Sequence, residues 1–207
     1  MALSRAMRRY GWLPVLLLGV ILFGRGVYMQ AKAHFAQFLI QAAWQQTLRD
    51  QRPHKPWHWA DTYPVAKLSV PLMSAGTDAV IRVKDMYVLA GASGRNLAFG
   101  PALVLSGARV GEAGNSVIAG HRDTHFGILQ EVRQGQPLWL QTADGRELAY
   151  RVVSIRVVHE SDSRFMARDG EDRLTLITCY PFDALTAGAE LRFIVEAVPR
   201  MSELREP

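Results

Sequence analysis

The sequence predicts an all-β domain, a barrel or a sandwich with short helices, behind an N-terminal membrane helix. Three observations carry this. After Pro64 the chain breaks into eight short runs that are apolar or alternate apolar with polar residues, as strands with one or two buried faces do. Gly, Asp or Pro punctuates most of the gaps between them, and Thr142-Ala143-Asp144-Gly145 reads as a hairpin-like turn. At the other end, Arg5, Arg8 and Arg9 precede an uncharged stretch from Tyr10 to Gly24.

Size and composition set the limits. The chain has 207 residues and a formal charge of +5, enough for one domain with appendages. No Lys/Arg block and no zinc-finger or RNA-binding signature accompanies the basic excess, so no nucleic-acid partner is expected. A single cysteine excludes an internal disulfide, and the fold must stand on packing.

Taken in order, the first segment, 1–33, reads as a cytoplasmic stub and a transmembrane segment. Leu16, Leu17, Leu18, Val20, Ile21, Leu22 and Phe23 form its centre. Positive charge ahead of such a run keeps the N-terminus in the cytoplasm and sends the rest across. Ala31-Lys32-Ala33 matches a small-x-small cleavage pattern, but Arg25 and Lys32 lie ahead of that cut, which favours a retained signal-anchor. Residues 34–64 read as a helical stalk and a linker. Phe35, Leu39, Ala42 and Ala43 recur at helical spacing, and Pro53 and Pro56 stop the helix near Asp50. Trp57, Trp59 and Tyr63 then suit either lipid headgroups or a domain surface.

The β domain, 65–199, has its strands expected at Val65 to Leu72, Ala79 to Val83, Ala102 to Leu105 and Ser116 to Gly120. Four more are expected at Pro137 to Thr142, Leu148 to Val158, Leu174 to Cys179 and Leu191 to Val198. A short helix fits Thr124 to Val132, and 200–207 reads as a polar tail.

Three strand ends carry the chemistry. Alternation puts Thr175, Ile177 and Cys179 on one face of their strand. A lone cysteine there is either a small buried hydrophobe or a nucleophile, and a nucleophile needs a polarising partner. The apolar run Ser116-Val117-Ile118-Ala119-Gly120 ends in His121, just past a strand end, where scaffolds present active groups. Arg192 interrupts the apolar run Leu191 to Val195. An unpaired buried guanidinium is costly, so it faces a groove or an anion, or it is an edge charge.

Ala119-Gly120-His121-Arg122-Asp123-Thr124, then Thr175-Leu176-Ile177-Thr178-Cys179, then Arg192 thirteen positions on, resemble the sortase transpeptidases. Gly114 to His121 is similar to sortase sequence as well. Tyr180-Pro181-Phe182 resembles the class D-like and Gram-negative members. The resemblance covers roughly Val65 to Val198. It implies a closed eight-stranded β-barrel that cuts an LPxTG-like C-terminal sorting signal of a secreted protein between Thr and Gly, and joins the new carboxyl group to an amine. It implies Cys179 as nucleophile, His121 as general acid/base and Arg192 as transition-state stabiliser. No metal or organic cofactor is implied.

Around that set, Asp123 is weighed as an orienter of His121 against a cap for the next turn. Thr178 points away from Cys179 and is kept as a neighbouring substrate-site residue. Val158 to Arg173 matches the loop that walls the substrate groove in sortases. It carries Glu160, Asp162, Arg164, Arg168, Asp169, Glu171 and Asp172, the mixed charge of a solvated loop. His121 and His125 are four apart, but the glutamate of a helical zinc motif is missing. The enzyme is expected on the periplasmic or extracytoplasmic side of the cytoplasmic membrane, anchored by its helix. A peptidase that releases its product to water, or a non-catalytic assembly module, are the rival readings.

Overall fold

The computed structural model describes residues 12–73, 80–167, 169–184 and 189–200. The readings of Arg5, Arg8, Arg9, Tyr10, Ala79 and Arg168, and of the tail from residue 201 on, lie outside the described residues. The chain divides into two compact units, Met1–Phe38 and Leu39–Pro207. From Leu39 on, the expected stalk, linker and β domain therefore form one packed body.

Helix α1 (Leu13–Asp50) supplies the first unit. Pro14 sits in its first turn, where a missing N–H costs no helical bond. Side chains 12–35 are exposed, and α1 is, among the described residues, the one helix long and apolar enough to cross a membrane.

In the second unit the last turns of α1 bury Ile40, Ala43, Trp44 and Thr47, one face at i, i+3, i+4 and i+7. This face is turned about one residue from the one that Phe35, Leu39, Ala42 and Ala43 mark, because the large side chains that find partners are Ile40 and Trp44. Ile40 joins Leu89 and Ala102 in an apolar cluster, and Trp44 Nε1 donates to Gln141 Oε1 at 3.3 Å. The helix ends where Gln51 turns to a φ of 59°, a left-handed stop. The proline and tryptophan segment then runs along the barrel. Trp57 stands edge-on to Phe99 with ring centroids 5.1 Å apart, and Thr62 Oγ1 donates to the Ala90 carbonyl at 2.8 Å.

Eight strands follow: β1 (Pro64–Met73), β2 (Val80–Ala90), β3 (Ala102–Leu103), β4 (Asn115–Ala119), β5 (Pro137–Thr142), β6 (Glu147–His159), β7 (Arg173–Tyr180) and β8 (Leu191–Pro199). They close into a barrel in the order β1-β2-β3-β4-β7-β8-β6-β5, with β5 returning to β1 through pairs such as Leu68↔Leu140. The pairing runs round the full circle, narrowest at β3, which meets β2 at Leu89↔Ala102 and Ala90↔Leu103. Alternate residues fill the interior, among them Leu68, Val70, Met86, Val88, Ile118, Leu138, Leu140, Leu174, Leu176 and Val195.

Two differences from expectation have physical causes. Strand β2 runs seven residues past Val83, because Arg82, Lys84 and Asp85 interrupt an apolar alternation that resumes at Met86 and Val88. The helix expected over Thr124 to Val132 is a 3-10 helix, Phe126–Glu131. Its eclipsed i, i+3 side chains send Phe126 and Leu129 together into the core. A one-turn helix α2 (Gly94–Leu97) follows Ser93, whose hydroxyl accepts the Asn96 N–H at 3.2 Å.

Candidate active site

Strand β7 lies between β4, to which it is parallel, and β8, to which it is antiparallel. Leu174 and Leu176 point into the barrel core. Ile177 instead packs on the outer face with Val117, Phe165 and Ile194. Cys179, two residues on, shares that outer face and is half-buried. Its register partner on β8 is Arg192. Partners directly opposite in an antiparallel pair lie on one face, with Cβ atoms about 4.5–5.5 Å apart.

His121 reaches the same place from β4. Ile118 is in the core and Val117 on the outer face, so Ala119 is outward and pairs with Ile177. The Gly120 N–H still donates to the Ile177 carbonyl at 3.0 Å. His121 thus leaves the ladder at the level of Cys179, and it is exposed. Thr178, 2% exposed, is on the inner side, and its hydroxyl donates to the Gly120 carbonyl at 2.8 Å. It ties the ends of β4 and β7 together behind Cys179. Tyr180, Phe182 and Phe193 stack and cross beneath this end, with Phe182 and Phe193 centroids 5.1 Å apart.

The guanidinium of Arg192 is held from the side. Nη2 donates to Glu160 Oε2 at 2.6 Å, and Nη1 donates to the carbonyls of Ala189 at 2.5 Å and Leu191 at 3.1 Å. Asp123 points an exposed carboxylate at its neighbour, accepting from Arg122 Nε at 3.2 Å. His125, beside Thr124 Oγ1 at 3.2 Å, is held below the ordinary imidazole range by burial first, then by its neighbours Lys84 and His121.

The segment between β6 and β7 is more than a solvated loop. Phe165, from its short 3-10 helix (Arg164–Met166), packs on the outer cluster beside Ile177. Buried Asn115 donates to the Phe165 carbonyl at 2.8 Å and accepts from Thr175 Oγ1 at 2.7 Å. Asp172 accepts from the Gly114 N–H at 2.6 Å, and Asp169 pairs with Arg173. Asp162 pairs with Arg164 at 2.7 Å, whose hydrogen bonds hold its carboxyl down to about 2. Asn115 and Arg122 are residues that sequence reasoning missed. The available signals were a polar residue opening the apolar run of β4 and a cation directly after the histidine.

Cys179 and Arg192 thus face each other across β7 and β8, and His121 follows just past the end of β4, the strand on the other side of β7. A thiol, an imidazole and a guanidinium are groups able to attack a carbonyl, move a proton and stabilise negative charge. Among the described residues no three His, Cys, Asp or Glu side chains form a group that could hold a metal ion.

A family model described as the sortase domain matches residues 79–200. Sortase D of Bacillus subtilis (strain 168) is 35% identical over 85 residues, 41% of this chain and 42% of that protein. Sortase A from Corynebacterium diphtheriae superposes with a TM-score of 0.57 at 28% identity, over 72% of this chain and 66% of that one. A Streptococcus pneumoniae sortase C gives 0.51 at 27% identity, over 56% and 61%. Each of these alignments spans less than two thirds of the relative's own length.

Proposed function

Because the chain belongs to the sortase family, we propose that it is a cysteine transpeptidase, with Cys179 as nucleophile, His121 as general acid/base and Arg192 as transition-state stabiliser. The observation that carries this reading is the register pairing of Cys179 with Arg192 on neighbouring strands, beside the exit of His121 from β4. The substrate is a secreted protein with a C-terminal sorting signal of LPxTG type, and the second substrate is an amine.

The Cys179 thiolate attacks the Thr carbonyl and forms a thioester, which divides one hard substitution into two easier ones. His121 gives its proton to the departing Gly amine. Arg192 donates hydrogen bonds to the oxygen that becomes negative in the tetrahedral intermediate. The incoming amine then attacks the thioester, His121 takes its proton, and the new amide leaves with the Cys179 thiolate restored. The apolar stretch of α1 anchors the enzyme in the cytoplasmic membrane. The arginines ahead of it favour an extracytoplasmic barrel, since positive charge ahead of an apolar run keeps the N-terminus in the cytoplasm.

Mass spectrometry of secreted proteins from cells carrying the full-length protein or its Cys179→Ala variant tests the reading. A protein whose C-terminus ends at the cleaved signal in a new amide, only with the intact thiol, supports it. A free carboxylate at that terminus would make the enzyme a peptidase, and identical products from both cells would remove the nucleophile.

A further inference from the structure

We propose that Arg122 is a positioning residue that fixes the histidine-bearing and cysteine-bearing segments to one another. The inference rests on the roles proposed for His121 and Cys179. Arg122 follows His121 directly, yet its side chain is only 5% exposed. Its Nη1 donates to the Pro181 carbonyl and its Nη2 to the Ala184 carbonyl, each at 3.0 Å. Those carbonyls lie two and five residues beyond Cys179. One planar fork therefore spans from the turn that carries His121 to the turn that leaves Cys179.

The fork takes over where the strands stop. The ladder between β4 and β7 ends with the Gly120 N–H on the Ile177 carbonyl and the Thr178 hydroxyl on the Gly120 carbonyl. Past that point the chains diverge into turns, and Arg122 links them. A Cβ on Gly127 would lie 2.7 Å from the Arg122 carbonyl, and a Cβ on Gly120 would lie 2.6 Å from the Phe126 ring. The 120–127 turn is thus tightly packed at Gly120 and Gly127. Burying the charge is costly, and the carboxylate that accepts from it, Asp123, is itself 68% exposed. Two of the groups that hold the side chain in place are the carbonyls it joins.

Lysine cannot replace this link. Its ammonium is a point charge on a flexible stem, without the rigid spread of a guanidinium. Proton exchange between His121 and the reacting atoms needs heavy atoms within about 2.6–3.2 Å, so a small drift between the two segments is felt at the sulfur.

The test follows the rate of Cys179 alkylation by iodoacetamide against pH in the full-length protein, a probe that needs no sorting signal. Four proteins are compared at a temperature where circular dichroism shows each one folded: the parent, His121→Ala, Arg122→Lys and Arg122→Gln. The midpoint of Arg122→Lys is expected to move by roughly half a pH unit or more toward that of His121→Ala. Arg122→Gln, whose neutral amide is too short to span both carbonyls, is expected to move it the same way, and it decides the matter if Arg122→Lys does not fold. Folded variants that keep the parent midpoint while His121→Ala shifts it overturn the proposal for Arg122 alone. A His121→Ala profile equal to the parent's overturns the proposed pairing of His121 with Cys179, and the proposal for Arg122 with it.

Discussion

At Gly120 the backbone passes under an aromatic ring, and an added methyl group would sit 2.6 Å from it. Gly120→Ala must push Phe126 out of its place in the core, at a cost of about 1–3 kcal/mol, and it displaces the neighbour of His121 as well. Thermal unfolding and the product assay should therefore both register it. His125, three residues after Arg122, makes a separate prediction. Its folded value lies below the ordinary 6.5, so the unfolded chain binds the extra proton first. Its contribution to stability is complete above about pH 6.5 and is lost as pH falls from there toward the folded value. Melting temperature should drop across that window in the parent, and less steeply in His125→Gln. Cys179, His121 and Arg192 were candidates from the sequence because each ends or interrupts an apolar run. Arg122 was not. A cation beside a histidine reads as surface charge until the carbonyls of Pro181 and Ala184, some sixty positions away, are folded over it.

At the scale of elements, the segment between β6 and β7 is tied at its base by Asn115. Asn115→Ala leaves the Phe165 carbonyl and the Thr175 hydroxyl buried without their partner. The cost is about 1–3 kcal/mol. Amide exchange should rise in residues 160–172, with the pairing of β5 and β6 unaffected. The mixed charges of this segment hid its role: Asp172 and Asp169 tie it to Gly114 and Arg173, while Asp162 and Arg164 pair locally near its surface. Strands were legible wherever alternation ran unbroken, as in β5, whose bounds match expectation. In β2 a cluster of charges hid the continuation, because its alternation becomes visible only against the partner strand β1.

At the scale of the whole molecule, the last turns of α1 belong to the barrel unit. Trp44 is fully buried and bonded to Gln141 on β5. Trp44→Ala is expected to cost about 3–5 kcal/mol, read as a lower melting temperature of the full-length protein. Helical spacing gave the existence of this helix, but not its contact with a strand some hundred residues later. One stave of the cylinder is far narrower than the rest. Strand β3 meets β2 through Leu89↔Ala102 and Ala90↔Leu103, and β4 through Ala102↔Ala119 and Leu103↔Ile118. With so short a ladder, the amides of β3 are expected to exchange with solvent sooner than those of β7 and β8, which a hydrogen-exchange experiment on the full-length protein would read. The longer ladders joining β4, β7 and β8 are expected to stay closed when that seam opens.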